Sequence, residues 1–72
     1  MVKTYAVAYL SGENCSETRA AAAAYGHRIS EMKHIKKPET IYQACKITET
    51  YGIDNVEAPS YKEWRKYWKS EV

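Results

Sequence analysis

The sequence predicts a small α+β domain that is mostly helical, with one N-terminal strand followed by three helices. Three observations lead to this class. The chain has 72 residues, a length typical of a single domain over positions 1–72. Its first ten residues are rich in Val and Tyr, which favour strands. The later segments carry apolar residues at spacings of three and four between recognisable helix caps.

The predicted strand is Val2–Leu10, whose two alternating faces are both largely apolar. It stops at a turn signal, Ser-Gly-Glu-Asn, at positions 11–14. A strand must pair so that its backbone groups are hydrogen-bonded. Its candidate partners are a second short strand near residues 55–58 and the same strand of a second copy, so a homodimer stays open.

The first helix is predicted to begin at an Asn14 cap, with Glu17 three residues later as in a capping box. It should continue to about Lys37, because one apolar stripe runs through it without a break. Gly26 lies inside this helix and costs up to about 1 kcal/mol there. The stripe consists of Cys15, Thr18, Ala22, Tyr25, Ile29 and Met32.

The second helix is predicted from about Pro38 to Tyr51, with Gly52 as the left-handed residue that terminates it. Ser60 and Glu63 form a capping box for the third helix. That helix has an aromatic stripe of Tyr61, Trp64, Tyr67 and Trp68, and a basic side of Lys62, Arg65, Lys66 and Lys69.

Composition and the chain's N-terminal residues predict a cytoplasmic protein, in the host cytoplasm if the chain is viral. There is no secretory signal pattern, and no stretch approaches the ~18 apolar residues of a membrane span. Cys15 and Cys45 are expected to be reduced packing residues on apolar helix faces. We therefore expect no membrane association.

Catalytic signatures are not recognisable in the sequence. No nucleophile has a base at a suitable spacing, and no glycine-rich phosphate loop is present. His27, Glu31 and His34 lie at i, i+4 and i+7, a spacing that could hold zinc. The lysines beside them would repel a cation, so a solvated helix face is expected instead. The prediction is a non-enzymatic protein without cofactor or metal.

Basic residues form a run in the middle of the chain, although the net charge of only +2 does not by itself indicate nucleic acid. The order of strand, helix, Gly26 and then Ser30-Glu31-Met32 resembles ribbon–helix–helix DNA-binding proteins over about residues 4–35. That resemblance implies a dimer whose paired strands direct Lys3, Tyr5 and Val7 towards bases in the major groove.

The function expected from these patterns is a small binding protein that modulates or inhibits a larger macromolecule, most of all a protein. Viral and mobile-element accessory proteins of this size often act in this way. Trp, Tyr and Arg dominate binding hot spots, so the expected contacts are Tyr61, Trp64, Arg65 and Trp68. The alternative is a dimeric DNA-binding transcriptional regulator that uses Lys3, Arg28, Lys33, Lys36 and Lys37.

Overall fold

The protein is all-helical in the part of the chain that the computed structural model describes, residues 2–71, with side chains described for residues 2–69. The four helices are α1 (Val2–Leu10), α2 (Ser16–Met32), α3 (Ile41–Tyr51) and α4 (Tyr61–Glu71). No strand occurs among these residues. The predicted α+β class is therefore wrong.

The N-terminal segment forms a helix because a helical stripe fits its burial better than strand alternation. Val2 and Ala6 are buried and Tyr5 and Tyr9 are half-buried, at relative positions i, i+4, i+3 and i+7. Val and Tyr have only weak intrinsic preferences, which tertiary packing overrides. The ribbon required by the ribbon–helix–helix resemblance is thus absent from this segment.

The predicted end of the first element after residue 10 is confirmed, although the element that ends there is a helix. Gly12 has a φ of 105°, and its N–H donates to the Tyr9 carbonyl at 3.0 Å. The Glu13 N–H donates to the Ala8 carbonyl at 3.0 Å. These two bonds form a Schellman motif, in which a glycine with positive φ closes the helix.

The cap of α2 lies one residue later than predicted. Asn14 donates its side-chain amide to the Gly12 carbonyl at 3.3 Å, so it completes the preceding turn. Cys15 is the N-cap, and its N–H donates to the Thr18 hydroxyl oxygen at 3.1 Å. Cys15 is also exposed, so its predicted packing on an apolar face is wrong.

The prediction that α2 runs unbroken through Gly26 is confirmed, but the helix ends at Met32 and not near Lys37. His34 has a φ of 55°, and the Ile35 N–H donates to the Ser30 carbonyl at 3.1 Å. A second Schellman motif therefore stops α2, with a histidine where glycine is usual.

Helix α3 begins later than predicted, because Thr40 and not Pro38 marks its start. The Thr40 hydroxyl accepts a hydrogen bond from the Gln43 N–H at 3.1 Å. The predicted end is confirmed: α3 stops at Tyr51, and Gly52 follows with a φ of 77°. Residues 55–58 lie in a loop, so the predicted second strand is wrong.

The predicted start of α4 is confirmed. The Glu63 N–H donates to the Ser60 hydroxyl at 3.2 Å, and the Glu63 carboxylate accepts from the Ser60 N–H at 3.5 Å. These reciprocal bonds satisfy two backbone donors that have no partner within the helix.

Helix α2 is the centre of the fold, and each of the other three helices packs against it. Five consecutive alanines, 20–24, are fully buried and give α2 a narrow surface on all sides. On α3, the Thr48 hydroxyl donates to the Ala22 carbonyl, and the Cys45 thiol lies 3.5 Å from the Arg19 carbonyl. Such bonds to backbone require the two helices to approach closely.

Tyr25 is fully buried in this core, and its hydroxyl has no hydrogen-bond partner among the described residues. Because an unsatisfied buried hydroxyl costs about 1–3 kcal/mol, Tyr25→Phe should stabilise the protein by about 1 kcal/mol. Urea unfolding would measure the change. Tyr9→Phe is the matched control, since the Tyr9 hydroxyl lies 3.1 Å from the Glu49 carboxylate and its loss should not stabilise the fold. Equal effects in both variants would contradict the assignment.

Candidate functional site

A column of aromatic rings attaches α4 to the rest of the molecule. Trp64 stacks on Tyr5 of α1 on one side and on Trp68 on the other, with ring centroids 5.2 Å apart in both pairs. Its indole N–H donates to the Glu17 carbonyl of α2 at 3.3 Å. Trp64 is only 5 % exposed, so this ring belongs to the core.

The outer end of the column carries Arg65. Its guanidinium carbon lies 4.8 Å from the centroid of the Trp68 ring and 5.7 Å from that of Tyr61. One terminal nitrogen, Nη1, donates to the Tyr61 hydroxyl at 3.2 Å. Tyr61 is 56 % exposed, while Arg65 and Trp68 are half-buried. We call these three residues the α4 face.

The residue spacing explains why these three side chains meet. Tyr61, Arg65 and Trp68 occupy positions i, i+4 and i+7, which lie on one side of a helix. Trp64 points from the neighbouring stripe into the core. Of the four residues predicted as partner contacts, three therefore lie together at the surface and Trp64 lies beneath them.

The other side of α4 is held to α2 by an ion pair. The Arg28 guanidinium lies 2.7 Å from the Glu63 carboxylate, and both side chains are partly exposed. Surface pairs of this kind add about 0–1 kcal/mol of stability, so their main effect here is to orient α4. The α4 face is thus presented by a helix fixed on two sides.

A second ring stack lies on the α2 side of α4. His27 stacks on Tyr67 with centroids 4.7 Å apart and an interplanar angle of 18°. Burial lowers the pKa of His27, and the charges of Lys37 and Lys66 lower it further against the opposing effect of Glu31. Burial also raises the pKa of Tyr67. The neutral forms of both rings are favoured in the folded protein.

The lowered pKa of His27 makes stability depend on pH. Below the unfolded-state pKa of about 6.5, the unfolded chain binds more protons than the native one, so stability is full above this pH and falls as the pH decreases. Urea unfolding between pH 7.5 and 5 should show the loss. His27→Phe keeps a ring for Tyr67 and should flatten the profile. If His27→Phe leaves the pH dependence of stability unchanged, His27 is not its source.

The predicted nucleic-acid residues are spread over three parts of the molecule. Lys3 is exposed on α1, and Arg28 pairs with Glu63 across the α2–α4 interface. Lys33 lies 5.1 Å from the Tyr51 ring centroid, and the remaining two, Lys36 and Lys37, are exposed in the loop after α2. One basic surface containing all five is not evident from these positions.

Metal-binding and thiol chemistry have no assembled centre in the described residues. His34 lies beyond the end of α2, so the helical spacing with His27 and Glu31 is not maintained. No group of three or more His, Cys, Asp and Glu side chains in this part of the chain could hold a metal ion. Hydrogen bonds from Thr18 lower the pKa of the exposed Cys15, while Cys45 is buried.

Sequence reasoning missed one surface feature, on α3. Tyr42 is 69 % exposed and has Lys46 Nζ 5.6 Å from its ring centroid. Ala44, Cys45 and Thr48 form the side that packs on α2. This narrow buried side follows from the packing of α3 on α2, for which the sequence carries no local signal.

Comparison of the chain with protein-family models, curated proteins and solved structures finds no match in any of the three. Residues 2–71 form four helices, with an alanine-rich central helix and an aromatic–arginine surface on the last of them. Among the described residues, none of the helices has the length and apolar character needed to cross a membrane.

Proposed function

We propose that this chain is a non-enzymatic binding protein of the cytoplasm that modulates or inhibits a larger protein by occupying part of its surface. The α4 face is the proposed contact. The observation that carries the proposal is the position of Arg65, held between Tyr61 and Trp68 at the surface. A chain of this size modulates a larger protein through occupancy, as an accessory protein does.

The side chains of the α4 face suit a binding site because their conformations are restrained before a partner arrives. Arg65 stacks on one ring and donates a hydrogen bond to the hydroxyl of the other. Restrained side chains lose less conformational entropy on binding, and Trp, Tyr and Arg are the residues most enriched in hot spots. The buried Trp64 supports this arrangement from below.

The DNA-binding alternative receives less support. It depended on a strand dimer, and Val2–Leu10 is a helix. One of its cations, Arg28, already pairs with Glu63. Non-specific DNA affinity rises with the number of phosphates neutralised by Lys and Arg, so separated cations give a weak grip.

Capture experiments with matched variants test the proposal. Arg65→Ala removes the stacked guanidinium, and Lys62→Ala removes an equal charge from an exposed position on the same helix. Proteins retained by the immobilised wild-type chain from a lysate of its source cells should be retained by Lys62→Ala. Arg65→Ala should bind them about 30-fold more weakly, the effect of losing a hot spot. Titration calorimetry with the purified partner would measure the affinities.

One control is needed, and two results would contradict the proposal. The melting temperatures of both variants must match the wild type, so that lost binding is not unfolding. If Arg65→Ala retains its partners as the wild type does, the α4 face is not the contact. Retention that depends on nucleic acid and falls steeply with salt would favour the DNA-binding alternative instead.

A further inference from the structure

A shallow groove lies between α3 and the loop that precedes it, away from the α4 face. Its volume is about 300 Å³. Pro38, Tyr42 and Ile47 form its apolar lining, and Lys36, Lys37 and Lys46 lie at its rim. The loop lysines reach the same groove as Lys46 because α2 ends at Met32 and the chain turns back towards α3.

Part of the apolar lining of the groove is open to solvent. Tyr42 is 69 % exposed, Ile47 is half-buried and only Pro38 is buried. Ile35 and Tyr51, elsewhere on the α2–α3 part of the molecule, are also partly exposed. Tyr42 therefore presents an exposed aromatic ring beside the half-buried side chain of Ile47.

The rim is positively charged. Lys36 and Lys37 are exposed, and Lys46 has its Nζ 3.9 Å from the Glu49 carboxylate and 5.6 Å from the Tyr42 ring centroid. Glu49 offsets much of the charge of Lys46, so the remaining positive charge of the rim lies at Lys36 and Lys37. Residues 36–49 contain three lysines and two carboxylates, Glu39 and Glu49, so the local excess is one positive charge.

We propose that this groove binds a short acidic segment of a protein partner, with one apolar side chain against Tyr42 and Ile47 and its flanking carboxylates at Lys36 and Lys37. The positive charge of the lysines favours the acidic residues of this segment, and the apolar lining favours its hydrophobic side chain. A nucleic acid would obtain only a few phosphate contacts here and would leave the apolar lining unused. This inference goes beyond the proposed function, because it concerns a second surface and does not require the α4 face to bind anything.

The test is a titration of the ¹⁵N-labelled chain with defined peptides, followed by amide chemical shifts. The probe is the capped pentapeptide Glu-Asp-Leu-Glu-Asp, compared with Gln-Asn-Leu-Gln-Asn and with Glu-Asp-Ala-Glu-Asp. We expect shifts confined to residues 36–47 and their immediate neighbours for the first peptide, with clearly weaker binding of the other two. The neutral peptide lacks the charges and the alanine peptide lacks the apolar anchor.

Variants assign the contributions within the groove. Replacing Lys36 and Lys37 together by Gln should weaken binding up to about tenfold, the combined effect of two exposed charge pairs. Tyr42→Ala should weaken it as well without unfolding the chain, because the ring is mostly exposed. Lys62→Gln, on α4, should leave the affinity unchanged.

Three results would overturn the inference. The first is the absence of shifts in residues 36–47 at millimolar probe, and the second is equal binding of the charged and neutral peptides. The third is tighter binding of a ten-residue oligothymidylate at this groove, which would assign the surface to single-stranded nucleic acid. None of these results affects the capture experiment with Arg65→Ala, so the two proposals fail independently.

Discussion

Gly26→Ala should destabilise the protein by about 3 kcal/mol or more, which is near the upper end of the usual cost of overpacking. A methyl group at position 26 would lie 2.0 Å from the carbonyl oxygen of Ala44 and 2.8 Å from its Cα. These are backbone atoms of α3, so the collision cannot be relieved by a rotamer change. The two helices would have to separate, and the Thr48 hydrogen bond to the Ala22 carbonyl would be lengthened.

The loss is expected despite a local preference in the other direction. In an isolated helix, Ala is more favourable than Gly by up to about 1 kcal/mol. A domain of 72 residues has a total stability of roughly 4 to 11 kcal/mol. The substitution should therefore remove a large part of it, and urea unfolding by circular dichroism would measure how much.

Gly52→Ala is the matched control for this substitution. It adds the same methyl group where nothing lies within 4 Å, but at a φ of 77°. It should cost about 1–3 kcal/mol from backbone conformation alone, because a φ of 77° with a ψ of 173° is adopted almost only by glycine. If Gly26→Ala is no more destabilising than Gly52→Ala, the close approach of α2 and α3 is not tight in solution.

Trp64→Ala is the second substitution with a large expected effect, a loss of about 3–5 kcal/mol, as is usual when a buried Trp or Phe is truncated. The indole is 5 % exposed and stacks on both Tyr5 and Trp68. Its removal would leave a cavity between α1 and α4. It would also leave the Glu17 carbonyl without the N–H that it accepts from the indole.

Tyr61→Ala removes a more exposed ring of the same helix, which packs edge-on against Trp64 with centroids 5.3 Å apart, and should cost only about 0.5–1.5 kcal/mol. Thermal unfolding of both variants would show whether Trp64 contributes much more to stability than Tyr61 does. A stable Trp64→Ala protein would show that the column is not part of the core. Trp64→Ala is accordingly a poor probe of binding, for which Arg65→Ala is suited.

The caps of α4 show which structural features can be predicted locally. Ser60 and Glu63 satisfy each other's backbone donors whatever surrounds them, so a four-residue pattern is sufficient. The positive φ of Gly52 could likewise be predicted from the glycine itself, whatever surrounds it. His34 shows the limit, because a histidine in the left-handed conformation gives no sequence signal as strong as a glycine.

The candidate site was predictable in composition but not in exposure. The aromatic stripe and Arg65 were found from helical spacing alone. Which rings face solvent depends on where α1 and α2 lie: Tyr5 and the Glu17 carbonyl bury Trp64, while nothing comparable covers Tyr61. The groove on α3 was missed because Lys36, Lys37 and Lys46 converge only after the chain reverses at the end of α2.

By itself, the sequence determined that residues 16–32, 41–51 and 61–71 are helical, where α3 ends, where α4 starts and the residue types of the α4 face. Only the tertiary structure decided that Val2–Leu10 is a helix, that Gly26 lies against Ala44 and that Trp64 is core. The physical reason is the range of the interactions. Caps and helical periodicity act within a few residues, whereas α1 is stabilised by packing on alanines far along the chain.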